Sequence, residues 1–299
     1  MSILCVVPKK LIKCFMMLNA IWIILSTVIP NLSKNDLFKA QIPSETLNRN
    51  QLINSNIYYV IAHPDDEVMF FAPSIIELGK KKHNNTLGLI CFSNGNADGL
   101  GEVRASELVE SARIFGIDES NVHQIIDEEN FMDSMNTTWE SSKISKKLSK
   151  IITKDPNAAI NLITFDEAGV SDHPNHKSLY YGCKEYLESS GSSANLFKLN
   201  SLSFFEKYSF TLVTSKILIA KYFKVLQNIL EKSDFVIPIA LSDDKSSSPE
   251  VLRFFSDLPS AILTVGAMSF AHASQMVWFR WGWLLFSRFG NFNELIKVQ

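Results

Sequence analysis

The 299-residue chain is expected to be an α/β protein, a mostly parallel sheet with helices on both faces. Three features predict this. Apolar runs of strand length alternate along the chain with segments of helical period. The runs are continuous rather than alternating, as suits strands covered on both sides. The loops that follow several of these runs are rich in Gly, Asn, Asp and His, the composition suited to a crevice at the carboxyl edge of such a sheet.

The first strand is IYYVIA, 57–62. EVMFFAPSIIELGKKK, 67–82, reads as a helix that Pro73 bends or breaks. LGLICFS, 87–93, is the second strand and runs into the loop SNGNADGLG, 93–101. EVRASELVESARIF, 102–115, has a helical period, with Val103, Leu108, Ala112 and Phe115 expected on one face and Gly116 as its stop. VHQIID, 122–127, is the third strand, and TWESSKISKKLSKIIT, 138–153, a helix. INLITF, 160–165, is the fourth strand, followed by DEAGVSDHPNH and a helix starting near His176. LFKLNSLSF, 196–204, is the fifth.

The flanks differ from this core. Residues 14–30, CFMMLNAIWIILSTVIP, follow Lys9, Lys10 and Lys13 and are just long enough to span a bilayer. A basic start also suits a signal peptide, but no small-x-small site follows, so a retained anchor is expected over 1–30. Residues 31–56 are polar and read as a linker, and 57–205 as the catalytic domain. The remainder, 206–299, is expected to be helical. It holds an apolar helix at 209–230, a polar break at 242–250 and an aromatic tail in which tryptophans stand beside Arg280 and Arg288. That tail suits a membrane interface, or a buried helical cap.

Composition excludes some functions. A net charge of -2 gives no electrostatic footprint for nucleic acid. The four cysteines form no CxxC pair, so a disulfide framework or cysteine zinc site is not expected, and free thiols are.

Chemistry concentrates in two clusters. His63-Pro64-Asp65-Asp66-Glu67 directly follows the first strand, and Asp172-His173-Pro174-Asn175-His176 follows the fourth. Histidine and aspartate are zinc ligands, and three protein ligands with an open position make a catalytic zinc site. Asp65 and Asp66 could instead cap the next helix. In the glycine-rich loop, Asn94 and Asp98 could bond sugar hydroxyls, and Arg104 could contact substrate or pair with Glu107. His83, His123 and His272 stand apart and are given surface or packing roles.

Four segments together carry a resemblance: VIAHPDDEVMFFAPSI, SNGNADGLGEVRASEL, TFDEAGVSDHPNHKSLY and VWFRWGWLLFSRF. They resemble the PIG-L type N-acetylglucosaminyl-phosphatidylinositol de-N-acetylases, relatives of bacterial LmbE-like deacetylases. The resemblance implies a Rossmann-like fold and a zinc ion on His63, Asp66 and His176, a site that iron could also occupy. It implies Asp65 as general base and His173 as oxyanion stabiliser. It implies a lipid-linked sugar substrate at the endoplasmic reticulum membrane, with the catalytic domain facing the cytosol. The chain departs from the family pattern at Asp172, where many members have Gly, and at Asn175, where many bacterial members have Asp. The lysines before the apolar segment outnumber Lys34 and Lys39 behind it, and by the positive-inside rule would send the domain to the lumen. A segment lying in the interface escapes that rule. Two rival functions are a deacetylase of another N-acetyl sugar and a metal-binding but inactive membrane adaptor.

Overall fold

A computed structural model describes residues 9–32, 52–152, 158–190, 194–231 and 251–298. The five expected strands are β1 (Ser55–Ile61), β2 (Thr86–Cys91), β3 (Val122–Gln124), β4 (Ala159–Phe165) and β5 (Asn195–Leu199). All neighbouring pairs among them are parallel, in the order β3-β2-β1-β4-β5. The chain passes from β1 outward to β2 and β3, then back to β4 on the other side of β1. That reversal makes the gap between β1 and β4 the switch point at which a crevice opens in such sheets. The register Tyr58↔Leu162 sets the two strands side by side, so the two histidine-aspartate loops leave from neighbouring strand ends.

Covering both faces of these strands makes the core. Ile57, Val60, Ile61, Leu89, Ile90, Leu162 and Ile163 are fully buried. Each such side chain contributes roughly 1.5–3 kcal/mol by leaving water. Helix α1 (Lys9–Ile23) continues through a π-turn (Ile24–Val28) to Leu32. After β1 a π-turn (Glu67–Phe71) leads into α2 (Ala72–Leu78), with Pro73 in its first turn, where its missing N–H costs nothing. Helices α3 (Gly101–Ile114), α4 (Ser141–Ile151) and α5 (Pro174–Ser190) follow in order. The α4–α5 contact requires Gly182, because a Cβ there would lie 2.4 Å from the Ile144 side chain.

Helix α3 faces the opposite way at one position. Leu108, Ala112 and Phe115 are buried as expected, but Val103 is exposed. The inward face is instead completed by Arg104, Glu107 and Ser111. A polar inner face defeats an apolar-stripe argument, and these three side chains are buried because each meets a partner in or near the site.

The C-terminal region departs further from expectation. It contains α6 (Thr211–Glu231), α7 (Leu258–Gly266) and α8 (Trp278–Phe286), and also β6 (Val251–Phe255) and β7 (Phe292–Lys297). β7 pairs antiparallel with β5, and β6 with β7, extending the sheet to seven strands. The sheet therefore crosses the expected boundary at 205/206. Short strands of five or six residues show too little periodicity to be told from helix, and the partner that decides β7 is about a hundred residues earlier in the chain. At the other end, Leu52 is buried and β1 begins at Ser55, so the last residues of the expected linker belong to the domain. Residues 33–51, the polar break at 242–250 and Cys5 lie outside the described residues. Cys14, Cys91 and Cys183 are free thiols.

Ile12–Asn31 is a 20-residue helical stretch long and apolar enough to cross a membrane. Its Trp22 is buried, Thr27 Oγ1 accepts the Leu258 N–H at 2.9 Å, and Phe15 packs against Phe210 and Phe286.

Candidate metal centre and active site

The loop after β1 turns sharply. Asp66 Oδ2 accepts the backbone N–H groups of Ala62 and His63 at 3.0 and 2.9 Å. Asp65 is forced to φ 114°, a strained backbone for an L-residue. That twist sends the two adjacent carboxylates to different partners. Asp66 Oδ1 faces His176 Nε2 at 3.4 Å. Asp65 Oδ2 receives Arg280 Nη2 at 2.8 Å, and Asp65 Oδ1 lies 3.7 Å from Arg104 Nη2.

Ligand atoms of His63, Asp66 and His176, all buried, lie within 4.8 Å of one another. Proton positions decide whether they fit a cation. His176 Nδ1 is 3.2 Å from the Gly169 carbonyl, which places its proton there. The bare Nε2 then faces Asp66 across a buried gap and has no hydrogen-bond partner. His63 Nε2 lies 3.1 Å from both Asp133 Oδ1 and Asn175 Oδ1, which leaves its Nδ1 bare, 3.7 Å from Asp66 Oδ2. Two imidazole lone pairs and a carboxylate converge without a donor among them. Burying such groups is costly unless a cation lies between them, so the donor set fits a divalent metal.

The two neighbouring carboxylates also differ in acidity. Burial disfavours charge on Asp66, but the imidazoles of His176 and His63 and the His63 N–H hold its pKa below the usual carboxylate range. Burial raises the pKa of Asp65, and Arg280 and Arg104 only partly offset it. For His63, burial opposes protonation, while Asp133 and Asp66 outweigh it and raise the pKa. The half-buried His173 is pushed down to about 4, mainly by burial and then by the neighbouring His176 and His63. Its Nδ1 faces the Asn175 N–H at 3.3 Å, so the neutral ring carries its proton on Nε2. Its ring centroid is 4.8 Å from that of His63 and 4.7 Å from that of His176. Asp172 is exposed and pairs with Lys177, not with His173.

A family model described as PIG-L, GlcNAc-PI de-N-acetylase, matches residues 58–187. A probable N-acetylglucosaminyl-phosphatidylinositol de-N-acetylase of Schizosaccharomyces pombe is 36% identical over 248 residues, 83% of this chain and 89% of that one. The chain belongs to this de-N-acetylase family. Similar relatives of the same name include one from Saccharomyces cerevisiae, 36% identical over 80% of each chain, and one from Bos taurus, 32% identical over 81% of this chain and 83% of that one. Among solved structures, an N,N'-diacetylchitobiose deacetylase from Pyrococcus horikoshii aligns over 85% of each chain at 15% identity, with a TM-score of 0.48.

Within this de-N-acetylase, the residues singled out from sequence separate into two groups. His63, Asp65, Asp66, His173 and His176 come together, and Arg104 joins them through Asp65 and through Asp133, 3.5 Å away. Arg104 also donates to the carbonyls of Pro64 and Gly95, at 2.7 and 2.8 Å. Gly95 has φ 68°, and a Cβ on it would lie 2.4 Å from the Arg104 guanidinium. Arg104 is not paired with Glu107, which instead accepts the Ser274 N–H and hydroxyl, both at 2.7 Å. Asn94 is buried beside Gly101, whereas Asp98 is exposed on the turn Asn96–Asp98.

Sequence reasoning passed over three contributors. Asp133 lies in the loop after β3, and its place beyond a strand of the parallel sheet was the available signal. Arg280 reaches Asp65 from α8. His272, given a surface or packing role from sequence, is fully buried, and its Nε2 meets Glu67 Oε1 at 2.5 Å. Glu67 Oε2 accepts the Asp65 N–H at 3.2 Å, and Ser111 donates to Oε1 at 2.6 Å. Glu67 is thus the bracket that holds Asp65 in its strained backbone. No local pattern announces Arg280 or His272, because each acts across more than 200 residues of chain.

Proposed function

We propose that this de-N-acetylase hydrolyses the acetamide of N-acetylglucosaminyl-phosphatidylinositol, releasing acetate and glucosaminyl-phosphatidylinositol, with zinc on His63, Asp66 and His176. The observation that carries this reading is the separation of two adjacent carboxylates. Asp66 faces bare imidazole nitrogens, while Asp65, beside it, is held by arginines and kept basic by burial. A carboxylate that ligates a metal is a poor base, so the pair supplies one ligand and one base.

His63, Asp66 and His176 would hold the metal, which would supply a Lewis acid to acidify the attacking water and polarise the acetamide carbonyl; iron(II) would serve the same role on this donor set. Asp65 accepts a proton from the attacking water as its oxygen bonds to the carbonyl carbon. His173, neutral and carrying its proton on Nε2, donates a hydrogen bond to the oxygen that gains charge. With a pKa near 4 it holds that oxygen without serving as the acid near neutral pH. Asp65, now protonated, returns the proton to the glucosamine nitrogen as the C–N bond breaks. Asp133 orients His63, as a carboxylate behind a metal-ligating imidazole does.

The lipid-linked substrate is supported by the names of the relatives and by the apolar stretch Ile12–Asn31. By the same reading the enzyme sits in the endoplasmic reticulum membrane with its catalytic domain toward the cytosol. Asn94, Asp98 and Arg104 are proposed to meet the sugar. The test is metal analysis of the purified full chain together with its turnover of N-acetylglucosaminyl-phosphatidylinositol, repeated with His176→Ala. The wild type should hold close to one metal ion and release acetate; His176→Ala should lose both. Turnover that persists in a metal-free wild-type protein would overturn the assignment.

A further inference from the structure

Helix α8 presents two unlike faces. Arg280 and Trp283, three residues apart, point inward: Arg280 onto Asp65 at 2.8 Å, Trp283 into the core. Trp278 and Trp281, also three apart, point out, 85% and 53% exposed, with Phe279 beside them. The helix that touches the proposed base is therefore the helix that offers tryptophan to the surroundings.

This apolar face continues beyond α8. The Phe210 N–H bonds the Phe286 carbonyl at 3.0 Å, and Phe15 of α1 packs against both rings. The exposed face is thus continuous with the helix long enough to cross a membrane. Beside the turn Arg288–Gly290 that follows α8, the turn Phe204–Lys207 exposes Phe204 and Phe205, while Lys207 Nζ donates to the Val170 carbonyl at 2.9 Å, three residues before His173. Exposed aromatics therefore lie both behind Arg280 and behind the loop that carries His173. Residues 258–288 contain no Asp or Glu, so nothing acidic on α8 repels a phosphate-bearing surface; in the Phe204–Lys207 turn the exposed Glu206 is capped by the Ser203 N–H and hydroxyl.

We propose that α8 and the Phe204–Tyr208 turn form a lip that rests on a phospholipid bilayer, with the metal centre opening toward the headgroups between them. Aromatic rings with one polar edge favour that interface. Exposed aromatic side chains grouped in this way are otherwise an association liability. The lip rests on the reading of a lipid-linked substrate: it brings the acetamide to the site without extracting the lipid, since the sugar stands at the height of the headgroups.

The full chain, reconstituted in phosphatidylcholine vesicles, tests this with two substrates and one spectroscopic probe. The substrates are N-acetylglucosaminyl-phosphatidylinositol in the vesicles and its water-soluble, deacylated head group. The probe is phosphatidylcholine brominated in its acyl chains, which quenches tryptophans at the interface. A Trp278→Ala/Trp281→Ala variant should lose roughly tenfold in turnover of the lipid substrate, chiefly through a higher KM in surface concentration, while turnover of the soluble head group stays within about twofold. It should also lose most of the quenching that exceeds the contribution of Trp22, Trp139 and Trp283. Equal loss on both substrates, no loss on either, or quenching unchanged by removal of the two tryptophans would overturn the lip. If the wild type hydrolysed neither substrate, the proposed function would fall and quenching alone would decide the lip.

Discussion

The parallel half of the molecule and its C-terminal arm contribute to one site in different ways. The loops after β1 and β4 supply the convergent donors His63, Asp66 and His176, each fixed by neighbours in its own loop or the adjoining one. The arm from 251 onward supplies none of that donor group. It supplies Arg280 on Asp65 and His272 behind Glu67, so what it governs is the carboxylate proposed as base. In the proposed mechanism, binding a metal and activating a water are thereby built on separate parts of the fold. A change on one side should damage its own function first.

The largest test of that division is Asp65→Asn. It should lower kcat by roughly 10³-fold or more while leaving metal content near the wild-type level, because Asp65 is outside the convergent set. Metal analysis and acetate release on the same preparation check it. An active variant would remove Asp65 from the role of base.

His272→Ala comes next and should act through stability. It leaves Glu67 buried without its imidazole partner, a loss of about 3–5 kcal/mol in typical buried pairs. The sign with pH is set. Burial opposes charge on His272, but Glu67 outweighs it and raises the pKa above the ordinary histidine value. A raised native pKa stabilises fully below the unfolded value of roughly 6.5 and fades as pH climbs through the native one. The stability gap between wild type and variant, followed by denaturant melts, should therefore narrow as pH rises. A gap that widened would contradict the ion pair.

The smallest expected effect is at Asp172. This exposed residue has φ 64°, a conformation suited to glycine, and its carboxylate pairs with Lys177 at the surface. Asp172→Gly should change stability by no more than about 1 kcal/mol, in the favourable direction, and leave kcat/KM within about twofold. A large loss of activity would mean that Asp172 acts on His173 after all.

Much of the fold was legible because its cause is local. Five buried strands carry continuous apolar runs, helices alternate with them, and Pro73 and Gly116 mark limits. Other elements carried no such mark. VLRFF and FNELIK have aromatic and charged residues in a stretch dominated by helices, and they are strands only because β5 offers an open edge. Val103 broke the helical stripe because the inner face of α3 is used for Arg104, Glu107 and Ser111.

The candidate site divides in the same way. His63, Asp65, Asp66, His173 and His176 could be named in advance, since each cluster lies within a few residues at a strand end. By itself, the order of residues determined the parallel sheet, the two clusters and the apolar N-terminal segment, because period and spacing are properties of neighbours along the chain. Only the tertiary structure decided that Asp133 backs His63, and that Arg280 and His272 return from the far end of the chain, one to Asp65 and the other to the Glu67 that holds it. Those contacts are made in space, between groups whose separation along the chain leaves no periodic trace.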